Sequence, residues 1–192
     1  GREYGVKGGT TLEEGIEVAR HAEEAGSVAI HVSAYGPATP TNMTTATFKP
    51  SVIRPLVTAI KQEVSVPVIA VGRITAQAGE ALLVEGGADL IAMGKGLLAD
   101  SEIPNKVAGG HEDDIVPCIV CMYCRDALRR PHMSGIRCQV NPRLGSDHEP
   151  VPAPPGSRKK VLVVGGGPAG MSAAIAAAER GHAVTLWERS TQ

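Results

Sequence analysis

The sequence predicts an α/β chain built in two parts, and two observations carry that expectation. Over roughly the first 110 residues, short apolar runs alternate with stretches of helical periodicity, the pattern of a parallel sheet covered by helices. Near the end, another apolar run leads straight into a G-x-G-x-x-G turn and a small-residue helix, the opening of a dinucleotide-binding βαβ unit. Between the two parts lie four cysteines, the only ones among 192 residues.

The first part is read element by element. From Thr11 to Ala25, the apolar residues Leu12, Ile16, Ala19 and Ala22 recur at helical spacing. Thr10 with Glu13, or Thr11 with Glu14, can close a capping box, and Gly26 ends the helix. Val28–Ser33 is a short apolar run and is expected to be a buried strand. Ser51 opens a second helix to about Val64, with Pro55 in its first turn. Pro67–Val71 is the second strand; Thr75 caps a third helix that stops at Gly86-Gly87. Asp89–Met93 is the third strand, and Ser101–Val107 a short last helix.

Periodicity alone allows either a doubly wound sheet or a barrel. The strand ends favour the barrel. Gly72-Arg73 follows the second strand and Gly94-Lys95 the third. In (β/α)8 barrels a cofactor phosphate commonly sits at the loops after the last two strands. Glycine lets backbone N–H groups approach it, and Arg or Lys supplies charge. Each cation alone reads better as an ordinary surface residue beside a turn; two at successive strand ends read better as a phosphate site.

Cys118, Cys121, Cys124 and Cys138 follow the spacing C-x2-C-x2-C-x13-C. Three thiolates on one tight loop and a fourth from further on suit a [4Fe–4S] cluster. A zinc site is the competing reading, with His111 and His132 nearby. Structural zinc more often draws two separate C-x2-C pairs, or Cys with His. Disulfides are the third reading; the short C-x2-C loops would be strained.

Residues 142–159 are Pro-rich, lack periodicity and are expected to form an extended linker. Then Lys160–Val164 reads as a buried strand. It is followed by Gly165-Gly166-Gly167-Pro168-Ala169-Gly170, the helix Met171–Gly181, and a strand ending at Glu188. The glycines permit a tight turn, close approach of a pyrophosphate and helix–strand packing. Glu188, 18 positions after Gly170, can bond a ribose hydroxyl.

Composition narrows the function classes. The net charge is −1, with 19 Lys and Arg against 20 Asp and Glu. That balance leaves no electrostatic footprint for nucleic acid or an anionic membrane. Aromatics make up 3% of the chain, too few for base-stacking platforms. No apolar run reaches the ~18 residues of a membrane helix. No nucleic-acid or membrane partner is therefore expected, and the remaining expectations are a cytoplasmic location and a small-molecule substrate. Nothing in the sequence speaks to oligomeric state.

The segments PVIAVGRIT, GGADLIAMGKGLLAD, PNKVAGG, PCIVCMYC and CQVNPRLG, in that order, closely resemble one family. It is the family of 2,4-dienoyl-CoA reductase (NADPH) and trimethylamine dehydrogenase, iron–sulfur flavoproteins of the Old Yellow Enzyme class of NADH:flavin oxidoreductases. The resemblance runs over nearly the whole chain. It implies the C-terminal part of an FMN-binding TIM (β/α)8 barrel over 1–108 and a [4Fe–4S] segment over 109–141. After the linker it implies the N-terminal βαβ of a Rossmann-like FAD/NAD(P)-binding domain over 160–192. It implies that Gly72, Arg73, Gly94 and Lys95 hold FMN. The family usually has Arg at the last position, and Lys is a point charge rather than a planar fork. It implies that Gly165, Gly167, Ala169, Gly170, Glu188 and Arg189 hold FAD, although the motif alone also suits NAD. It implies that the four cysteines hold the cluster, and their C-x2-C-x2-C run is closer to the trimethylamine dehydrogenase type.

The same resemblance implies an oxidoreductase. NAD(P)H, FAD, the cluster and FMN would pass electrons to an activated C=C bond of an enoate, enone or dienoyl-CoA. The alternatives are an amine dehydrogenase, or a zinc-stapled module without activity. Dienoyl-CoA reductases use a Tyr from an earlier strand and a His after the sixth. Residues 31–43 lack a His at that position, near Pro37. Tyr35 and His31 are the remaining catalytic candidates, with Tyr35 reading better as a loop residue and His31 as a buried core residue. The resemblance places residue 1 just after the fifth barrel strand, so the chain reads as a fragment. By itself it is expected to fold poorly and be inactive.

Overall fold

The protein was examined as a computed structural model, which describes residues 8–34, 53–130, 135–145 and 156–190. It divides into two compact units, Gly1–Asp147 and His148–Gln192. Among the described residues, no helix is long and apolar enough to cross a membrane.

In the first unit, α1 (Leu12–Glu24) starts at Thr11. Of the two possible capping boxes the structure forms the second. The Thr11 hydroxyl accepts from Glu14 N at 3.2 Å, and the Glu14 carboxylate accepts from Thr11 N at 2.8 Å. Gly26 follows with φ 94°, a conformation that favours glycine. The strands are shorter than the apolar runs: β1 is Ile30–Val32, β2 Val68–Val71 and β3 Leu90–Ala92. α2 (Arg54–Lys61) lies between β1 and β2, and α3 (Ala76–Val84), capped by the Thr75 side chain, between β2 and β3. The expected opening of α2 at Ser51 lies outside the described residues.

The three strands are parallel, in the order β1-β2-β3. Val32 pairs with Ala70, and Val71 with Ala92. Strand alternation then decides the core. Val32, Val68 and Ala70 point to one face and are buried with Ile53, Leu56, Val57 and Ile60 from and just before α2, and with Leu82 of α3. Fully burying a side chain such as Val57 or Val68 contributes about 2 kcal/mol. His31, Ile69 and Val71 have the opposite parity. His31 is exposed, which corrects its expected place as a core residue: the helices cover only the other face. β3 is likewise only partly covered, with Leu90 exposed.

After β3 the structure forms the short last helix expected over Ser101–Val107 and adds two α-helices, one before it and one after, that periodicity missed. α4 (Lys95–Ala99) begins directly behind Gly94, α5 spans Ile103–Ala108, and α6 (Tyr123–Ala127) carries the third cysteine. α4 and α6 have five residues each, too short to show a helical repeat.

In the second unit β4 (Lys160–Val164) and β5 (Ala183–Trp187) run parallel. α7 (Pro168–Glu179) joins them. It starts three residues before the expected Met171, because Pro168 takes the first helical position, where its missing N–H costs nothing. β4 was expected to be buried. It is not: none of the unit's described residues is fully buried. One helix covers only one face of two strands.

Candidate functional site

The register that pairs Val71 with Ala92 brings two strand ends to one edge of the sheet. Gly72-Arg73 and Gly94-Lys95 therefore emerge together, and all four residues line one cleft of about 660 Å³. Gly72 has φ 134° and Arg73 φ 49°. A left-handed arginine is uncommon and marks a turn held by its surroundings. The cleft wall is continued by Pro117, Cys118, Val120 and Met122 from the cysteine loop, and by Arg125 and Arg129 on the α6 side. Its charged lining is cationic among the described residues, which suits a phosphate-bearing ligand.

The four cysteines come together. Cys118, Cys121, Cys124 and Cys138 line one small pocket with Lys95, Leu98, Ile119, Met122, Gln139 and Val140. All four are unbridged thiols. Val120 (φ 54°) and Met122 (φ 62°), on either side of Cys121, are both left-handed. Two reversals within three residues coil the loop tightly enough for its three cysteines to share a pocket. His111 does not line it, and His132 lies outside the described residues.

Among the described residues, no three His, Cys, Asp or Glu side chains close on a point suitable for a single metal ion. A four-iron cluster takes four thiolates, one per iron. Four thiols lining one pocket supply that donor set.

Both ends of this segment are tied to α4. Asp100, just beyond that helix, is 7% exposed. Its carboxylate accepts from Val116 N at 2.9 Å, Glu102 N at 3.0 Å and Lys106 Nζ at 2.6 Å. Val116 is two residues before Cys118. On the other side Asn141, three residues after Cys138, donates from Nδ2 to the Leu98 carbonyl at 3.0 Å. Burial pushes the Asp100 pKa up, but the Lys106 ammonium and the Val116 and Glu102 N–H groups outweigh it and hold the carboxyl below its usual range. Sequence reasoning missed Asp100 and Asn141; their partners are 16 and 43 residues away.

Lys95 belongs to both cavities. Its Nζ lies 3.6 Å from Met122 Sδ. Burial lowers its pKa; Cys118 and Cys124 oppose that, while Arg73 and Arg125 add to it.

In the second unit, Gly165 has φ 105° and its N–H donates to the Trp187 carbonyl at 2.7 Å. A methyl group at Gly170 would collide with the Gly165 carbonyl oxygen, so this glycine permits the turn to press on α7. Gly167 is the helix N-cap, and Ala169 lies in the first turn. Glu188 folds back over the turn, accepting from Gly166 N at 2.6 Å and Ser190 N at 2.9 Å. Those bonds, the Ser190 one first, hold its carboxyl below the usual range. Arg189 follows it, exposed. Tyr35 lies outside the described residues, so of the two catalytic candidates only His31 is placed.

The family of NADH:flavin oxidoreductases and NADH oxidases matches residues 5–114, and the FAD dependent oxidoreductase family matches residues 160–192. The NADH oxidase of Thermoanaerobacter brockii is 43% identical, over 96% of this chain and 29% of its own length. The solved complex of 2-naphthoyl-CoA reductase with 2-naphthoyl-CoA superposes with a TM-score of 0.87 at 33% identity, over 96% of this chain and 29% of that one. Histamine dehydrogenase from Rhizobium sp. 4-9 gives a TM-score of 0.79 at 30% identity, over 96% and 27%. The chain thus spans less than a third of each. With more than half of its residues matched, and with relatives of the same kind named as oxidases, reductases and dehydrogenases, the chain belongs to the NADH:flavin oxidoreductase / NADH oxidase family.

Proposed function

We propose that the chain is the central portion of an iron–sulfur flavoprotein reductase, joining the end of an FMN-binding barrel to the start of an FAD-binding domain. One observation carries this reading: four cysteines line a single pocket whose wall is shared with the cationic strand-end cleft. When bound, the cofactors would supply a route for electrons from NAD(P)H, through FAD and a [4Fe–4S] cluster, to FMN and an activated C=C bond.

The chain's residues hold and screen these groups. Arg73 and Lys95 meet the FMN phosphate, with Gly72 and Gly94 clearing space for backbone approach. Cys118, Cys121, Cys124 and Cys138 hold the cluster, and the partly buried Leu98, Met122 and Val140 screen it from water. Gly165, Gly167, Ala169 and Gly170 form the pyrophosphate turn, with Glu188 toward the ribose and Arg189 beside it. The face carrying His31 would become the barrel interior on closure. His31 is there a wall residue, with no hydrogen-bond partner in the described residues to orient it as a proton donor.

Iron, sulfide, zinc and flavin analysis of the full-length protein, purified anaerobically, tests the reading. Iron and sulfide near four each per chain, with FMN and FAD, are expected. Stoichiometric zinc without iron would leave a zinc-stapled module instead. Amine oxidation is the second reading, favoured by the likeness to histamine dehydrogenase. NAD(P)H-dependent reduction of enones and acyl-CoA enoates, against amine-dependent reduction of a dye, separates the two.

A further inference from the structure

Lys95 occupies a place that a phosphate ligand alone does not explain. It is the first residue of α4, at the end of β3, where a flavin phosphate would bind. Yet it lines the cysteine pocket as well as the cleft. Its Nζ lies 3.6 Å from the sulfur of Met122, inside the loop between Cys121 and Cys124. Cys118 and Cys124 both interact with it electrostatically. Lys95 is thus placed in the partition between the two cavities.

Helix α4 also fixes this placement mechanically. Leu98, one turn beyond Lys95, holds Asn141 after the fourth cysteine. Asp100 holds Val116 before the first. A cation at the start of that helix is therefore carried on the same short element that clamps both ends of the ligand segment. Lysine suits this place: its charge is compact and sits on a flexible stem.

We propose that Lys95 is a positioning residue that raises the reduction potential of the iron–sulfur cluster, in addition to any contact with the flavin phosphate. This rests on the reading of the four cysteines as cluster ligands. The physical basis is charge. Uptake of one electron adds one negative charge to the cysteine-bound group. A nearby cation in a partly buried wall favours that more negative form. Arg73 and Arg125, which also interact with Lys95, lie in the cleft lining and act in the same direction.

The test is a redox titration of the full-length protein, with the cluster followed by electron paramagnetic resonance and dithionite as reductant. Lys95→Met keeps the stem and removes the charge; Lys95→Gln is the second neutral variant; Lys95→Arg keeps the charge. Both neutral variants are expected to lower the reduced-to-oxidised ratio at a fixed poise by about tenfold, a shift of about 59 mV to more negative potential for one electron. Iron and sulfide content should match wild type, and Lys95→Arg should stay within about threefold of the wild-type ratio. Each variant is compared with wild type both flavin-loaded and flavin-depleted, so loss of FMN does not mimic the effect. An unchanged midpoint in both neutral variants overturns the assignment while leaving the cluster reading intact. Wild-type protein containing zinc and no iron overturns both.

Discussion

Asp100 holds a charge almost wholly out of solvent and serves three donors at once, from Glu102, Lys106 and Val116. Asp100→Asn would keep the shape but remove the charge. With one charge-assisted bond to Lys106 weakened, a loss of about 2 kcal/mol is expected near neutral pH. The pH dependence follows from the direction of the shift. The folded carboxyl lies below its usual value, so its stabilisation is fully present above the unfolded value of about 4. It is lost as pH falls through the lower folded value. Calorimetry of wild-type and Asp100→Asn full-length protein should therefore show a gap at pH 7 that closes in acid. A gap that persists in acid would mean the effect is one of packing rather than charge. Lys106 also donates to the Asp114 carbonyl at 2.8 Å, so it keeps one partner in the variant.

At the scale of elements, what could be read from sequence depended on how local each constraint is. The Gly-rich turn was legible because strand, turn, helix and acid follow one another within 29 residues, Lys160 to Glu188. The structure adds the reason for the last glycine, whose missing Cβ leaves room for the Gly165 carbonyl. Gly170→Ala should therefore push the turn off α7 and weaken FAD binding at least tenfold, about 1.4 kcal/mol. FMN content should stay at the wild-type level. Cofactor extraction and chromatography of the full-length variant check this; equal FAD occupancy would show that the turn can yield. The cysteine loop was legible in its spacing but not in its shape. Val120 and Met122 adopt left-handed backbone without being glycine, and no propensity signals that. Helix α4 was missed because five residues show no period, and its clamps were missed because Asp100–Val116 and Leu98–Asn141 are contacts distant in sequence. Burial was misread for β4 and for His31 because an apolar run reports what a strand can bury, and the covering layer decides what it does bury.

On the scale of the whole molecule, the two units differ in how much of their apolar surface they cover. The first gathers α1, α2 and α3 on one sheet face around Val57 and Val68, both fully buried. The second leaves Leu162 52%, Val164 77%, Ile175 58% and Trp187 63% exposed. A unit this small, two strands and one helix within His148–Gln192, buries too little of its surface to hold itself together well in water, and such an exposed apolar surface invites association. Residues 148–192 should therefore have no cooperative stability when the chain of 192 residues is prepared alone. Trp187 offers a direct readout, because it is the only tryptophan in the chain and lies in β5. Its emission should already be at the wavelength of a water-exposed indole and should scarcely move as urea is added. Far-ultraviolet circular dichroism, dominated by the helices of the first unit, should move separately. An apolar dye should bind the 192-residue chain strongly and the full-length protein weakly. Blue-shifted Trp187 emission with a sigmoidal urea transition in a monomeric sample would overturn this. It would mean that β4, α7 and β5 gain enough cover within the chain to fold, and that FAD binding could be studied on this portion alone.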